Sequence, residues 1–298
     1  MPKRSLLAAL SALCIALATS AGAGCGASPE PCEAEGGTYH LEHPGGDQPV
    51  PALIFLHGWG SSGEGSLKMR GMVNTFLEAG YAVIAPDGTP REGRNGRSWS
   101  FHPDLPKRRD EITFLSAVRD AAVQDHGIDG SRVLLSGFSI GGSMVSYLAC
   151  AAPETFAAYA PVGGGFWRPH PQGCEGPVRL LHTHGWQDGT VPLEGRILRG
   201  ESLQDPGVLA QGDIFHTLDL WRAANGCIQP KADAFEIGER YWRRAWTVCA
   251  PGSALEFALF QGGMPYRAVG PPWRLSGLKR WTSVAQHPKA RALASLET

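Results

Sequence analysis

Short apolar segments alternate with amphipathic segments along most of the chain. The apolar ones are bounded by turn residues and have the length of strands, which is typical of strands buried on both faces of a parallel sheet. They are PALIFLHG (51–58), YAVIAPDG (81–88), SRVLLSG (131–137), AAYAPVGG (157–164) and VRLLHTHG (178–185). The alternation predicts an α/β fold with a mostly parallel, doubly wound sheet.

Other segments have apolar residues at helical spacing and are predicted to cover the sheet. They are residues 66–80, 109–127, 140–152 and 213–227. In the second segment one face carries the apolar side chains of Ile112, Leu115, Val118 and Ala122. Asp110 and Glu111 lie in its first turn, where the helix dipole favours negative charge.

The C-terminal part predicts a pair of strands near the sheet edge, at 234–249 and 254–263. No internal repeat or low-complexity linker interrupts the chain, so residues 50–263 are predicted to form one domain. Residues 24–49 are interpreted as an N-terminal extension, and residues 264–298 as an atypical tail.

The N-terminus has the three parts of a secretory signal peptide, predicted to span residues 1–23. Lys3 and Arg4 precede an apolar run, and Ala21-Gly22-Ala23 supplies a small-residue cleavage site. The predicted location is therefore extracellular or periplasmic. A buried first helix is one alternative. A lipoprotein acylated at Cys25 is another, although Gly22 stands where a larger aliphatic residue is usual. No later apolar run is long enough to span a bilayer.

Composition and charge narrow the function classes. The 298 residues carry a formal charge of −1, which gives no support for nucleic-acid binding or a charge-driven membrane contact. The chain has seven cysteines, and one of them lies in the signal segment. The remaining six cysteines are an even number in a protein predicted to be exported, which favours disulfides. Sequence alone leaves the pairing open, and our working hypothesis joins chain neighbours: 25–32, 150–174 and 227–249. No CxxC or HxxxH spacing indicates a metal, and no cofactor is predicted.

A G-x-S-x-G pattern, Gly137-Phe138-Ser139-Ile140-Gly141, lies between a predicted strand and a predicted helix. In that context the serine occupies a strained turn on which flanking side chains would clash. The turn raises the hydroxyl at the carboxyl end of the sheet and aims the Ile140 N–H at a developing oxyanion. Ser139 is therefore the predicted nucleophile.

Two loops supply the expected partners of the serine. In HGWGSSGEG (57–65), the Trp59 N–H is the expected second oxyanion donor, and His57 is interpreted as a hydrogen-bonded loop histidine. HTHGWQDGTVP (182–192) ends a strand and offers Asp188 as the acid that orients a catalytic imidazole. Asp87 in APDG is interpreted as a turn former.

Six segments, in order, resemble the secreted polyhydroxybutyrate-depolymerase and feruloyl-esterase type of α/β-hydrolase. They are PCEAEGGTYHLEHP, LIFLHGWGSS, GYAVIAPDG, GIDGSRVLLSGFSIGGSM, FAAYAPVGGG and HTHGWQDGTVPLEG. The resemblance covers roughly residues 31–263. It implies a serine esterase with the α/β-hydrolase fold, Ser139 as nucleophile and Asp188 as acid.

The histidine of that family is missing at its expected position. In the family it follows a Gly-Gly turn, in a pattern like Gly-Gly-His-x-x-Pro-x-Gly-Trp, whereas this chain has Met264 after Gly263. A one-base slip would explain this, because the shifted frame can encode Gly-Gly-His-Ala-Val-Pro-Arg-Gly-Trp-Ala. The hypothesis requires a GGC codon for Gly263 and a GTT codon for Val269. A genuine but divergent C-terminus is the alternative.

No other histidine has the expected setting. The candidates are His102, His170, His182, His184, His216 and His287, and none is predicted to replace the base.

The sequence thus predicts a secreted serine esterase acting through an acyl-serine intermediate on hydroxyalkanoate oligomers or on feruloyl or acetyl esters. Loss of the histidine is expected to impair it. The alternative is an inactive hydrolase-fold protein that binds esters or polysaccharides. Four tryptophans are expected in loops near the site, where they bind rings or polymer chains or simply pack: Trp59, Trp99, Trp167 and Trp186.

Overall fold

The structure is a computed structural model that describes residues 24–26 and 28–263. The predicted signal peptide (1–23) and the atypical tail (264–298) lie outside the described residues. The strands are β1 (Cys32–Ala34), β2 (Gly37–Glu42), β3 (Val50–Leu56), β4 (Ala82–Pro86), β5 (Thr89–Pro90), β6 (Arg97–Ser98), β7 (Ile128–Phe138), β8 (Ala158–Val162), β9 (Trp167–Arg168), β10 (Arg179–Gly185), β11 (Arg196–Arg199), β12 (Leu209–Gln211), β13 (Ala234–Ile237), β14 (Tyr241–Trp246) and β15 (Ala254–Phe260). The helices are α1 (Gly63–Leu67), α2 (Arg70–Glu78), α3 (Glu111–Asp125), α4 (Ile140–Ala151) and α5 (Ile214–Ala224).

Ten of these strands form one sheet in the order β1-β2-β4-β3-β7-β8-β10-β15-β14-β13. The six consecutive strands from β4 to β15 are parallel. Two antiparallel strands flank them at each edge. The mostly parallel α/β sheet predicted from the sequence is confirmed.

Helices cover both faces of the sheet, as the continuous apolar strands predicted. Leu53 and Phe55 of β3 pack in a cluster with buried residues of α1 and α2. Ile54 and Leu56, which alternate with them, pack in a second cluster with residues of α3, α4 and α5. Because successive strand residues point to opposite faces, two separate apolar layers result.

The N-terminal part differs from the predicted boundaries. The segment 24–49, interpreted as an extension, contributes β1 and β2 to the sheet, with β2 antiparallel to β4. The sheet therefore begins before residue 50. The helix predicted at 66–80 is divided into α1 and α2, because Met69 has φ −74° and ψ 64°, outside the helical region.

The C-terminal region, predicted to form a pair of strands, forms three strands in the structure. Residues 234–249 form the β13–β14 hairpin, closed where the Gly238 N–H donates to the Tyr241 carbonyl at 2.9 Å. The third strand, β15, pairs parallel with β10 and antiparallel with β14. It therefore lies inside the sheet, and its end reaches the same edge as the ends of the central strands.

Three disulfides join the six cysteines that were predicted to pair. They are Cys25–Cys32, Cys150–Cys174 and Cys227–Cys249, which confirms the neighbour pairing. The Cys25 sulfur lies in a disulfide bond, so the atom that a lipid would occupy in a lipoprotein is already used. Among the described residues, no helix has the length and apolar character needed to cross a membrane.

Candidate active site

Ser139 lies on the sharp turn between β7 and α4. Its backbone has φ 57° and ψ −119°, and it is the one non-glycine residue with positive φ in the described part of the chain. The Ser139 N–H donates to the Val162 carbonyl at 2.8 Å, which ties the turn to the end of β8. A strained serine held this way presents its side chain outward at the carboxyl end of the sheet.

The glycines two residues before and after Ser139 are required by close approach of backbone atoms. A Cβ on Gly137 would lie 2.6 Å from the Gly141 carbonyl carbon. A Cβ on Gly141 would lie 2.4 Å from the Leu56 carbonyl oxygen of β3. The G-x-S-x-G pattern therefore reflects the tight packing of this turn against the neighbouring strand.

The loop after β3 brings the Trp59 amide toward the serine turn. Gly58 packs against Phe138, since a Cβ on Gly58 would lie 3.2 Å from the Phe138 ring. Within the described residues, neither the Trp59 N–H nor the Ile140 N–H donates a hydrogen bond. Both amides are thus available to an incoming oxygen, which is the condition for an oxyanion hole.

His57 stabilises this loop through hydrogen bonds to two backbone groups. Its Nδ1–H donates to the Gly58 carbonyl at 2.8 Å, and its Nε2 accepts from the Gly88 N–H at 3.0 Å. Burial lowers the pKa of His57, so the ring is neutral near pH 7. Both ring nitrogens are occupied by backbone groups, which agrees with the interpretation of His57 as a loop histidine.

Asp87 does more than form a turn, contrary to the sequence interpretation. Its carboxylate is buried, accepts hydrogen bonds from the Gly63 N–H at 2.9 Å and the Thr38 hydroxyl at 3.0 Å, and lies 3.3 Å from both His40 Nε2 and Arg97 Nε. Burial alone would raise the pKa of Asp87, but the polar partners outweigh it and lower this pKa to about 2. One buried charge therefore joins β2, the loop after β3 and the hairpin after β4.

Asp188 follows β10 and is almost fully buried, at 5% exposure. Its Oδ1 accepts from the backbone N–H groups of Thr190 and Val191 at 2.9 and 2.8 Å. Its Oδ2 has no hydrogen-bond partner among the described residues. A buried carboxylate oxygen without a donor is costly, so a donor from outside the described residues is expected at this atom.

His184 does not supply that donor. Its Nε2 lies 3.7 Å from Asp188 Oδ2 and instead donates to the Val191 carbonyl at 2.7 Å. His184 Nδ1 accepts from His182 Nε2 at 3.2 Å, and both rings are buried. Burial lowers the pKa of both histidines, so they form a neutral pair inside the sheet.

The Gly262–Gly263 turn lies directly on the loop that carries Asp188. A Cβ on Gly185 would lie 1.9 Å from the Gly263 carbonyl oxygen. Position 264, where the sequence has Met264 in place of the expected histidine, lies outside the described residues, and Gly263 just before it packs against this loop. The strands β7 and β10 are both neighbours of β8, so the strand ends that precede Ser139 and Asp188 are two strand spacings apart, about 10 Å.

The other candidate histidines are engaged elsewhere. His102 is buried and contacts the Pro169 carbonyl at 3.3 Å, and His170 stacks on His216 with ring centroids 4.3 Å apart. Burial first, and then the His216 charge, lower the pKa of His170 to about 4. No histidine among the described residues hydrogen-bonds to Ser139, and His287 lies outside them.

The four tryptophans expected near the site divide into two kinds. Trp99 and Trp167 are buried, and their indole N–H groups donate to the His57 carbonyl and the Ser143 hydroxyl. Trp59 and Trp186 are 59% and 57% exposed. Only the last two can present a ring face to a substrate, so packing is the role of the other two.

The sequence interpretation did not identify Arg91, whose guanidinium carbon lies 4.2 Å from the Trp59 ring centroid. No local sequence pattern marks this arginine, because the contact depends on how two loops meet. Among the described residues, one cluster brings metal-ligand atoms together, Cys25, Cys32 and His126, and its two cysteines are joined in a disulfide.

Comparison with known proteins gives a consistent family. The phospholipase/carboxylesterase profile matches residues 43–218, more than half of the chain. Feruloyl esterase B of Piromyces equi is 27% identical over 199 residues, which are 62% of this chain and 34% of that protein. Feruloyl esterase C of Emericella nidulans is 32% identical over 91 residues, which are 30% of this chain and 32% of that protein. The chain therefore spans about a third of the length of these two relatives.

A solved structure shows the same fold over most of the chain. Acetyl xylan esterase from Aspergillus awamori superposes with a TM-score of 0.59 and 15% identity, covering 83% of this chain and 94% of that one. At this identity the likeness concerns the fold alone. The profile match, which agrees with this fold and strand order, shows that the chain belongs to the phospholipase/carboxylesterase family of α/β-hydrolases.

Proposed function

We propose that the site is that of a secreted serine esterase in which Ser139 is the nucleophile and Asp188 the acid. The observation that carries the proposal is the buried Asp188 Oδ2, which has no donor among the described residues and lies on the loop that packs against the Gly262–Gly263 turn. An imidazole at position 264 would donate to this atom and accept a proton from Ser139.

The reaction follows from this arrangement. Ser139 Oγ attacks the ester carbonyl carbon while its proton moves to the imidazole, and the carbonyl oxygen becomes an oxyanion held by the Ile140 and Trp59 N–H groups. The imidazolium then gives the proton to the leaving alcohol, which leaves an acyl-serine. Water, deprotonated by the same imidazole, attacks the acyl carbon, and the imidazolium returns this proton to Ser139 Oγ as the C–O bond breaks and the acid is released.

The chain as it stands has Met264 where that proton acceptor belongs. A thioether cannot take the serine proton at neutral pH, so the hydroxyl remains a poor nucleophile. Loss of one triad member lowers turnover by on the order of 10⁴–10⁶. Turnover by this chain is therefore expected to be impaired, with residual catalysis from the oxyanion amides and substrate binding.

The proposal includes the one-base slip after Gly263 as the origin of the missing histidine. The DNA around codon 263 tests it directly. A Gly263 codon other than GGC, or a Val269 codon other than GTT, excludes the shifted peptide Gly-Gly-His-Ala-Val-Pro-Arg-Gly-Trp-Ala. The tail from Met264 would then be a genuine C-terminus.

Secretion and substrate class rest on separate observations. Three disulfides and the predicted signal peptide support an extracellular or periplasmic protein. The feruloyl and acetyl xylan esterases among its relatives and structural neighbours support feruloyl or acetyl esters as substrates, and the family resemblance adds hydroxyalkanoate oligomers. No cofactor is part of the proposal.

The second candidate is a hydrolase-fold protein that binds esters or polysaccharides without cleaving them, which Met264 favours. Two proteins separate the candidates: the chain as printed and a version whose residues after Gly263 follow the shifted frame. We expect the second to hydrolyse nitrophenyl acetate and to be labelled at Ser139 by a fluorophosphonate, with Ser139→Ala as the unlabelled control. A folded, frame-restored protein that does neither would rule out the esterase.

A further inference from the structure

A cation–π pair joins the hairpin after β4 to the loop after β3, which carries the proposed Trp59 oxyanion amide. The guanidinium of Arg91 lies 4.2 Å from the ring centroid of Trp59, and Trp59 keeps 59% of its surface exposed. A guanidinium stacked on an indole keeps its N–H groups in the plane of the fork, where those that have no partner can donate to an anion. The pair thus combines an apolar ring with a positive charge at one place.

Backbone contacts between two loops hold this pair in position. The Gly60 N–H donates to the Arg97 carbonyl at 2.9 Å, and the Arg97 N–H donates to the Ser61 carbonyl at 3.1 Å. The Arg91 N–H donates to the Gly96 carbonyl at 3.2 Å, and Arg91 Nη1 donates to the Asn95 carbonyl at 3.0 Å. These hydrogen bonds join the hairpin after β4 to the Trp59 loop, and they hold the Arg91 guanidinium in place before any ligand binds.

Arg91 has no carboxylate partner among the described residues, and its buried Nε has no acceptor there. Three neighbouring arginines differ in this respect, because each forms an ion pair: Arg97 with Asp87, Arg108 with Glu92 and Arg109 with Glu111. Because Nη1 already donates to the Asn95 carbonyl, a carboxylate would bind mainly to Nη2, with the second Nη1 N–H as a further donor.

The pair lies on the side of the site where the ester carbonyl is expected. Trp59 carries one of the two proposed oxyanion amides, and the preceding Gly58 packs against Phe138, the residue before Ser139. A ligand group bound by Arg91 would therefore lie beside the loop that carries the proposed Trp59 oxyanion amide.

We propose that Arg91 and Trp59 form a subsite for a carboxylate carried by the ester substrate, with the apolar part of that substrate against the Trp59 ring. This deepens the proposed esterase function and rests on it for the identity of the reacting group. The shared chemistry is an ester with a free carboxylate nearby. Its source is either the acid end of a hydroxy-acid oligomer or a uronic acid beside an ester on a polysaccharide.

Binding to the full chain as printed tests the subsite without any need for turnover. The probe pair is monobenzyl succinate, which has one carboxylate, and benzyl methyl succinate, which is neutral and nearly the same size. Calorimetry at low ionic strength is expected to give a dissociation constant about ten-fold lower for the charged probe, because its carboxylate gains charge-assisted hydrogen bonds. Equal affinities in the wild-type chain would overturn the proposal without any variant.

Three substitutions locate the effect. Arg91→Gln is expected to abolish the preference for the charged probe, and Arg91→Lys to keep part of it because a point charge lacks the fork. Arg94→Gln, in the same loop and without a side-chain partner among the described residues, is the matched control and should keep the full preference. A preference lost equally in the Arg94 variant, or retained in Arg91→Gln, would contradict the subsite.

One variant separates this proposal from the esterase proposal. Ser139→Ala cannot react, yet it should show the same ten-fold preference if the subsite exists. Failure of catalysis in the frame-restored protein would therefore contradict the esterase proposal and leave the binding result intact. Equal affinities for the two probes would contradict the subsite and leave the esterase proposal intact. Finally, the free acid of a 3-hydroxybutyrate trimer and a glucuronate-bearing xylo-oligosaccharide distinguish the two sources. The source that applies should compete with monobenzyl succinate in an Arg91-dependent manner, and competition by neither would overturn the proposal.

Discussion

The Gln187 N–H donates a 2.7 Å hydrogen bond to the carbonyl of Gly262. The Trp186 N–H donates in the same way to the Phe260 carbonyl at 2.8 Å, so the loop that carries Asp188 and the end of β15 are bonded at two points. These two hydrogen bonds hold the Asp188 loop against the end of β15 and the Gly262–Gly263 turn, the last described residues before position 264.

The first prediction concerns that position alone. Met264→His in the printed chain is expected to raise the hydrolysis of nitrophenyl acetate by on the order of 10²–10⁴, the usual contribution of a positioned general base. Met264→Gln is the matched control, because it adds a polar side chain that cannot accept the serine proton. Adding Asp188→Asn to Met264→His should remove most of the gain. Equal rates for the His and Gln variants would contradict the placement.

A second prediction follows from the strain at Ser139. Its φ of 57° costs a non-glycine residue on the order of 1–3 kcal/mol, whereas glycine adopts such a conformation readily. Ser139→Gly should therefore exceed Ser139→Ala in free energy of unfolding by about 1 kcal/mol, after the greater entropy of unfolded glycine is subtracted. Urea denaturation measures the difference.

Ser146 provides the control for this comparison, because it is buried in the middle of α4 with ordinary helical geometry. There the order should reverse, with the glycine variant less stable than the alanine variant by about 1 kcal/mol. The same order at both positions would show that the Ser139 turn is not strained.

The turn at Ser139 and the central strands could be predicted from the sequence because their signals are local. The Ser139 turn requires glycines at fixed positions, and the packing of Gly137 against the Gly141 backbone gives the reason. Buried parallel strands are marked by continuous apolar runs, so β3, β4 and β10 were predicted close to their observed positions. The neighbour pairing of cysteines also succeeded, since hairpins and short connections keep chain neighbours close.

Properties set by distant contacts could not be predicted. Trp59 and Trp99 both stand in loops, yet one is exposed and the other is buried, because only Trp99 finds an acceptor for its indole N–H, at the His57 carbonyl 42 residues away. Asp87 has the local sequence of a turn, and its role depends on His40 and Arg97 from other elements. Side-chain partners of this kind are fixed only when the loops meet.

The third prediction concerns the disulfide at the end of the nucleophile helix. Cys150 lies in the last turn of α4 and is joined to Cys174, 24 residues later in the chain, whereas Cys25–Cys32 closes a separation of 7. Loop-closure entropy predicts that replacing both Cys150 and Cys174 with alanine lowers the free energy of unfolding by about 3 kcal/mol, and that replacing Cys25 and Cys32 lowers it by about 2 kcal/mol. Urea denaturation under non-reducing conditions checks both values, and the opposite order would contradict the entropic account.

The fourth prediction is a pH dependence that originates at Asp87. Its pKa in the folded protein is about 2, below the ordinary value of 3.8, because its hydrogen bonds and cations outweigh the burial that alone would raise this pKa. A depressed carboxyl pKa stabilises the fold above the unfolded pKa, and this stabilisation is lost as pH falls through about 2. The contribution is about 2 kcal/mol, from the shift between folded and unfolded states.

Asp87→Asn should therefore be less stable than wild type at pH 7, and the difference in free energy of unfolding should shrink by about 2 kcal/mol between pH 5 and pH 2. Asp120→Asn is the control, because Asp120 forms only an exposed pair with Arg119 and should show almost no such change. Urea denaturation at intervals of one pH unit measures both variants against wild type. A difference for Asp87→Asn that stays constant down to pH 2 would mean that the carboxylate does not carry the charge that joins β2, the Trp59 loop and the hairpin that holds Arg91.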